Sequence, residues 1–230
     1  MKEIYISPSS QPNNTYAVGN TNEQEQCRKI AAALKEVLDR CQLPAVAGMD
    51  GTMYTRVEES NQLGAGLHMP IHTNGYDGTV AGLRIMVGAM GGEAEQIAKT
   101  IMESLAPITP GTSDGIHVMP DLYEINATKA ICVYLEIGFH DNPEEAQWII
   151  DHTEDIAVAT AKALCNHYGV PYVADEKKVD HVKAPEENPF DEPVVEGKIY
   201  RVQVGAFYDR KYADALMVEL KENGYDAFIV

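Results

Sequence analysis

Ile131-Cys-Val-Tyr-Leu-Glu-Ile-Gly-Phe-His140 is the stretch that decides the fold. Its first five residues are almost continuously apolar, as expected of a central strand buried on both faces. It then runs at once into the polar segment Glu136 to His140. Downstream, apolar positions from about Pro143 through Trp148 and Ile156 to about Tyr168 predict one last helix. Upstream, Glu93 to Leu105 reads as an amphipathic helix and Val80 to Val87 as a strand. Residues 63–72 carry Leu67, Met69 and Ile71 in strand alternation and end at His72-Thr-Asn-Gly75. Cys27, Ile30, Ala31, Leu34, Val37 and Leu38 recur at helical spacing behind a Thr21 or Asn22 cap. Ile4-Tyr-Ile6 opens the chain as a short strand. Strands alternating with helices predict an α/β fold, a twisted and mostly parallel sheet flanked by helices. In such sheets sites gather at the carboxyl ends of strands.

The chain has 230 residues with 18 basic and 35 acidic side chains, a net charge of −17, and 45% apolar residues. That length suits one sizeable domain with an appendage, and the composition excludes wholesale disorder. The acidity argues against nucleic acid or an anionic membrane as partner, since both call for a basic surface. No apolar run approaches the roughly 20 residues of a membrane helix. Met1-Lys-Glu-Ile-Tyr-Ile6 enters a strand directly, without a signal-peptide core, so the expected product is made in the cytoplasm. Cys27, Cys41, Cys132 and Cys165 form no CxxC pair and read as small buried hydrophobes.

Residues 1–172 are the expected main domain. From 173 to 196 the composition shifts to eight acids, three lysines and three prolines, an extended acidic linker. Residues 197–230 read as a small β-α-β unit: Tyr200 to Val204, a helix from about Asp209 to Asn223, and Asp226 to Val230. Thirty-four residues lie below the roughly 40 needed to fold alone, so this unit must pair, a homodimer being one solution.

Four polar features fall at strand ends or helix starts: the 7–11 loop, Glu23, His72 and Glu136. A carboxylate, an imidazole and a second carboxylate so placed could build a hydrolytic zinc site. Such a site needs about three N/O ligands, an open position for water and a carboxylate base.

The segments Ile4-Tyr-Ile-Ser-Pro-Ser-Ser10, Glu23 before a helix, Met69-Pro-Ile-His-Thr-Asn74 and Val133-Tyr-Leu-Glu-Ile-Gly-Phe-His-Asp-Asn142 occur in this order. Together they resemble the zinc-dependent N-acetylmuramoyl-L-alanine amidases that cut bacterial peptidoglycan, phage endolysins and host autolysins among them, over about residues 1–170. The resemblance implies a phosphorylase/hydrolase-like sheet, zinc ligands at Glu23 and His72, a catalytic Glu136, and Asn74 and Asn142 on the substrate side. The family's first strand normally ends in a loop whose histidine is the third zinc ligand, and here that place holds Ser10. Either His140 is a relocated ligand, or Ser10 or a water it holds completes a weaker shell. An alternative is a weakened wall-binding module that lost its metal with that histidine. His68 and His72 share a strand face about 13 Å apart, too far to grip one ion, so His68 reads as a core histidine.

Tyr200-Arg-Val-Gln-Val-Gly-Ala-Phe207 and Asn223-Gly-Tyr-Asp-Ala-Phe-Ile229 resemble half of a sporulation-related (SPOR) repeat. That resemblance implies peptidoglycan as partner, and action at the cell wall after release or export.

Overall fold

The computed structural model describes residues 2–175 and six positions between 214 and 221. The chain divides into two units, Met1–Val179 and Asp180–Val230. The linker expected at 173–196, beyond its first three residues, and the β-α-β unit expected at 197–230, but for those six positions, lie outside the described residues.

In the first unit the strands are β1 (Ile4–Pro8), β2 (Ala45–Ala47), β3 (Leu67–Asn74), β4 (Arg84–Val87), β5 (Gly115–Val118), β6 (Ile131–Cys132) and β7 (Tyr134–Phe139). Between them lie the helices α1 (Glu23–Arg40), α2 (Met53–Leu63), α3 (Glu93–Leu105), α4 (Tyr123–Ala127), α5 (Pro143–Asp151) and α6 (Thr153–Tyr168). The sheet order is β2-β1-β3-β7-β4-β5, with β6 also paired to β3. Every pairing is parallel except β4 with β7. The expected twisted, mostly parallel sheet flanked by helices is therefore the fold.

Period-2 alternation divides the sheet into two unlike faces. Ile4, Ile6, Leu67, Met69, Ile71, Leu135 and Ile137 turn to one side and join a single apolar cluster with Ile30, Leu34, Ile97, Ile101, Ile156 and Leu164. There α6 packs against both α1 and α3. Tyr5, Ser7, His68, His72, Tyr134 and Glu136 alternate with those residues and turn to the other face, beside α2 and α4. Tyr5 reaches Glu59 of α2, and Ser7 reaches Glu124 of α4.

The run that decides the fold is one strand in two pieces. Ile131 and Cys132 pair with Leu67 and His68, and Leu135 and Glu136 pair with Ile71 and His72, in unbroken register. The gap is Val133, opposite Met69, and the next residue of β3 is Pro70, which has no N–H to give the ladder.

Two of the expected elements differ from the sequence reading. The strand expected over 80–87 begins only at Arg84. Gly82 has φ +128°, outside the extended region, and donates its N–H to Glu145. The single helix expected from Pro143 to Tyr168 is two, α5 and α6, parted at His152 (φ −116°, ψ 26°). There the Trp148 carbonyl is shared by the His152 ring at 2.8 Å and the His152 N–H at 2.9 Å. The helix α2 and the short β2, β5 and α4 carry too little periodicity to be legible in advance. The four cysteines are free and buried, as expected.

Leu135 is fully buried in the central strand. Leu135→Ala is expected to cost about 2–5 kcal/mol, read from the midpoint of urea unfolding. Asn142 caps α5, accepting from the N–H groups of Glu144 and Glu145 at 3.0 and 3.3 Å. Asn142→Ala should cost about 1 kcal/mol in the same measurement.

Candidate active site

The carboxyl ends of β1, β3 and β7 meet at a polar cleft of about 330 Å³. Glu23, Glu136, His140, Gln11, Asn14 and Asn74 stand on its walls. The loop after β1 folds over it: Ser9 N–H bonds the Ile71 carbonyl at 2.9 Å, and Glu23 N–H bonds the Asn14 carbonyl at 2.9 Å. Asn22 caps α1 through the N–H of Glu25, which puts Glu23 in the first turn, 1% exposed. A carboxylate there also meets the positive end of the helix dipole.

His72, on β3, is the centre of the cluster. Its Nδ1 lies 2.8 Å from Glu23 Oε1, and its Nε2 faces Glu124 Oε2 at 3.5 Å without a hydrogen-bond partner. Tyr134 stacks on the ring at 4.7 Å. Burial works against the imidazolium, but Glu124 and Glu23 prevail and raise its pKa to about 9. Glu23 also accepts from Asn14 Nδ2 at 2.6 Å and from Thr73 N–H at 3.4 Å. Burial raises Glu23, but His72 and Asn14 more than offset it and the carboxyl is held low. Gln11 Nε2 stands 3.4 Å from His72 Nδ1.

Glu124 was not anticipated. It sits on the five-residue α4 and is 2% exposed. One oxygen accepts from Ser7 Oγ and from His68 Nε2 at 3.2 Å. Burial raises Glu124, yet His68, His72 and Ser7 together bring it down to about 2. His68 is fully buried and stacks on Tyr5 at 5.4 Å, so it is the core histidine expected, though bound to the site through Glu124. No sequence motif surrounds Glu124. Tyr134, by contrast, was legible in principle, being two residues before Glu136 on the same strand face.

Glu136 lies beside His72 in the β3–β7 register. It is half-buried, and its Oε2 is enclosed without a hydrogen-bond partner. Loss of water pushes this carboxyl up to about 8; His72 opposes the shift and Glu23 adds to it.

The remaining candidates fall into place around this cluster. His140 is on the cleft wall, its Nδ1 2.9 Å from the Thr73 carbonyl and its ring stacked on Tyr16 at 5.7 Å. Ser10 is half-buried on the covering loop. Asn74 lines the cleft, its Oδ1 accepting from Gly75 N–H at 2.9 Å. Asn142 is turned to the fold: besides capping α5 it donates to the Val80 carbonyl at 3.2 Å. Glu23, Glu136 and His140 share the cleft, with His72 behind Glu23. Even so, no group of three or more His, Cys, Asp or Glu is arranged to hold a metal ion among the described residues.

Residues 4–166 match the family described as N-acetylmuramoyl-L-alanine amidase, and residues 193–230 match the SPOR domain. No curated protein matches the chain. Among solved structures, the catalytic domain of CwlV, an N-acetylmuramoyl-L-alanine amidase from Bacillus (Paenibacillus) polymyxa var. colistinus, superposes with a TM-score of 0.62 at 18% identity. That match covers 74% of this chain and 100% of CwlV. The N-acetylmuramoyl-L-alanine amidase from Clostridium difficile 630 gives 0.65 at 16% identity, over 73% and 97% of the two chains. The catalytic domain of CD27L endolysin, targeting Clostridia difficile, gives 0.60 at 16%, over 72% and 98%. With a family match spanning most of its length and these shared folds, the chain belongs to the N-acetylmuramoyl-L-alanine amidase family, which cleaves the amide between N-acetylmuramic acid and L-alanine in peptidoglycan.

Proposed function

We propose that this amidase works at the cleft between β1, β3 and β7, with Glu136 as the residue that moves the proton. The observation that carries this is the enclosed Oε2 of Glu136, a buried carboxyl oxygen without a hydrogen-bond partner beside an open polar cleft. Buried polar atoms are rarely left unpaired without a functional reason. Glu136 takes a proton from the attacking water as its oxygen bonds to the muramoyl carbonyl carbon. It returns that proton to the alanine nitrogen as the C–N bond breaks, leaving a carboxylate and a free amino terminus. Glu23, His72 and Glu124 hold the β3 wall of the cleft in place. Asn74 stands at the rim, where it can meet the substrate.

A zinc ion is what the family implies at such a site, where it would polarise the carbonyl and activate the water. The donors of this chain do not fit one. Glu23 and His72 would be two ligands, and no third stands with them among the described residues. No step here is therefore routed through a metal.

The SPOR match over residues 193–230 supports attachment to peptidoglycan, so the two parts of the chain act on the same polymer at the cell wall. Cytoplasmic synthesis followed by release, as a phage endolysin or a host autolysin, is the route we infer. The proposed boundary at 196, and pairing of two chains through 197–230, fall on residues outside those described, whereas the proposed boundary at 172 lies among the described residues. No helix among the described residues is long and apolar enough to cross a membrane.

The test is Glu136→Gln on purified peptidoglycan, following release of L-alanine amino termini. The expected loss is about 10²–10⁴-fold with thermal unfolding unchanged. A mutant rate near that of the wild type would remove Glu136 from this role.

A further inference from the structure

We infer that this amidase site stands without a resident zinc ion, because its ligand-type pair, Glu23 and His72, is bonded to itself and neither Ser10 nor any other described residue adds a third ligand. The inference rests on the cleft at β1, β3 and β7 being the reaction site, as proposed above. A hydrolytic zinc site takes three protein ligands and keeps a fourth position open. Here the count on the cleft side stops at two. His72 Nδ1 is 2.8 Å from Glu23 Oε1, and the other Glu23 oxygen is taken by Asn14 at 2.6 Å. Ser10 offers only a neutral hydroxyl, and Gln11, the loop residue that stands beside His72 at 3.4 Å, offers only a neutral amide. Among the described residues His140 forms no metal-holding group with Glu23 and His72.

On the far side of the ring, Glu124 Oε2 faces His72 Nε2 at 3.5 Å. A carboxylate behind a histidine also accompanies metal-bound imidazoles, so Glu124 by itself decides nothing. The decision comes from the donor count in front.

The experiment uses the full chain purified without chelator, equilibrated with excess zinc sulfate, desalted and analysed for bound zinc by mass spectrometry. The wild type is expected to retain well under one zinc per chain, and its melting temperature should be the same with and without EDTA. Ser10→His supplies the missing imidazole and should retain about one zinc per chain. Its melting temperature should then fall when EDTA is added. A wild-type chain that keeps one zinc, lost on His72→Ala, would overturn the inference. A Ser10→His chain that stays metal-free would overturn the assignment of the missing ligand to Ser10. Release of L-alanine amino termini by the zinc-free wild type is read separately. Activity there supports both readings, whereas inactivity counts against the proposed function and leaves the metal result standing.

Discussion

Everything at the cleft depends on the burial of His72 between two carboxylates. An ion taken out of water costs several kcal/mol, which only close opposite charge and hydrogen bonds repay. His72 is 5% exposed, with Glu23 on one nitrogen and Glu124 facing the other. Each of those acids is itself buried and must in turn be satisfied. Glu124 therefore draws Ser7 and His68, and Glu23 draws Asn14 and the Thr73 N–H. The demand for partners spreads from one imidazole to β1, β3, α1, α4 and the loop after β1. The loop is shaped by it: Asn14 reaches back to Glu23, and Gln11 lies over His72.

The same network explains why Glu136 is chemically distinct. The donors in this cluster are taken up by Glu23 and Glu124, which are held low, while Glu136 keeps an enclosed oxygen with no partner and is pushed up. Neighbouring carboxyls whose surroundings drive their pKa values apart are how one site separates a structural anion from a group that exchanges protons. The division of the sheet makes this affordable. The face covered by α1, α3 and α6 is almost wholly apolar and supplies the stability that the polar face consumes.

Much of this was legible in the sequence because it is local. The helix of Glu93–Leu105 and the cap at Asn22 follow from periodicity and from a side chain bonding its own backbone. The alternation of Leu67, Met69 and Ile71 gave one face of β3 to the core, and so gave His68 and His72 to the other. The splitting of 143–168 at His152 was not legible, since no proline or glycine marks the break. The late start of β4 was equally hidden, because Gly82 is held by Glu145, 63 residues away along the chain.

What the sequence by itself determined is the α/β architecture, Glu23 in the first turn of its helix, and His72 and Glu136 on strands, although Glu136 lies within β7, which runs on to Phe139 past the expected end at Leu135. Side-chain period and chain direction suffice for that. What only the tertiary structure decided is which atoms meet. Glu124 lies 52 residues from His72 in a short helix with no motif, and nothing local directs it to the far side of the imidazole. Its place follows from the packing of α4 beside β1 and β3, where an unpaired buried charge would be too costly to keep. The same is true of His140, which the sequence puts at a strand end but which packing ties to Tyr16 and to the Thr73 carbonyl. Ligand-type residues can be named from a pattern, but whether three of them converge is set by side-chain directions and by competing hydrogen bonds across distant strands.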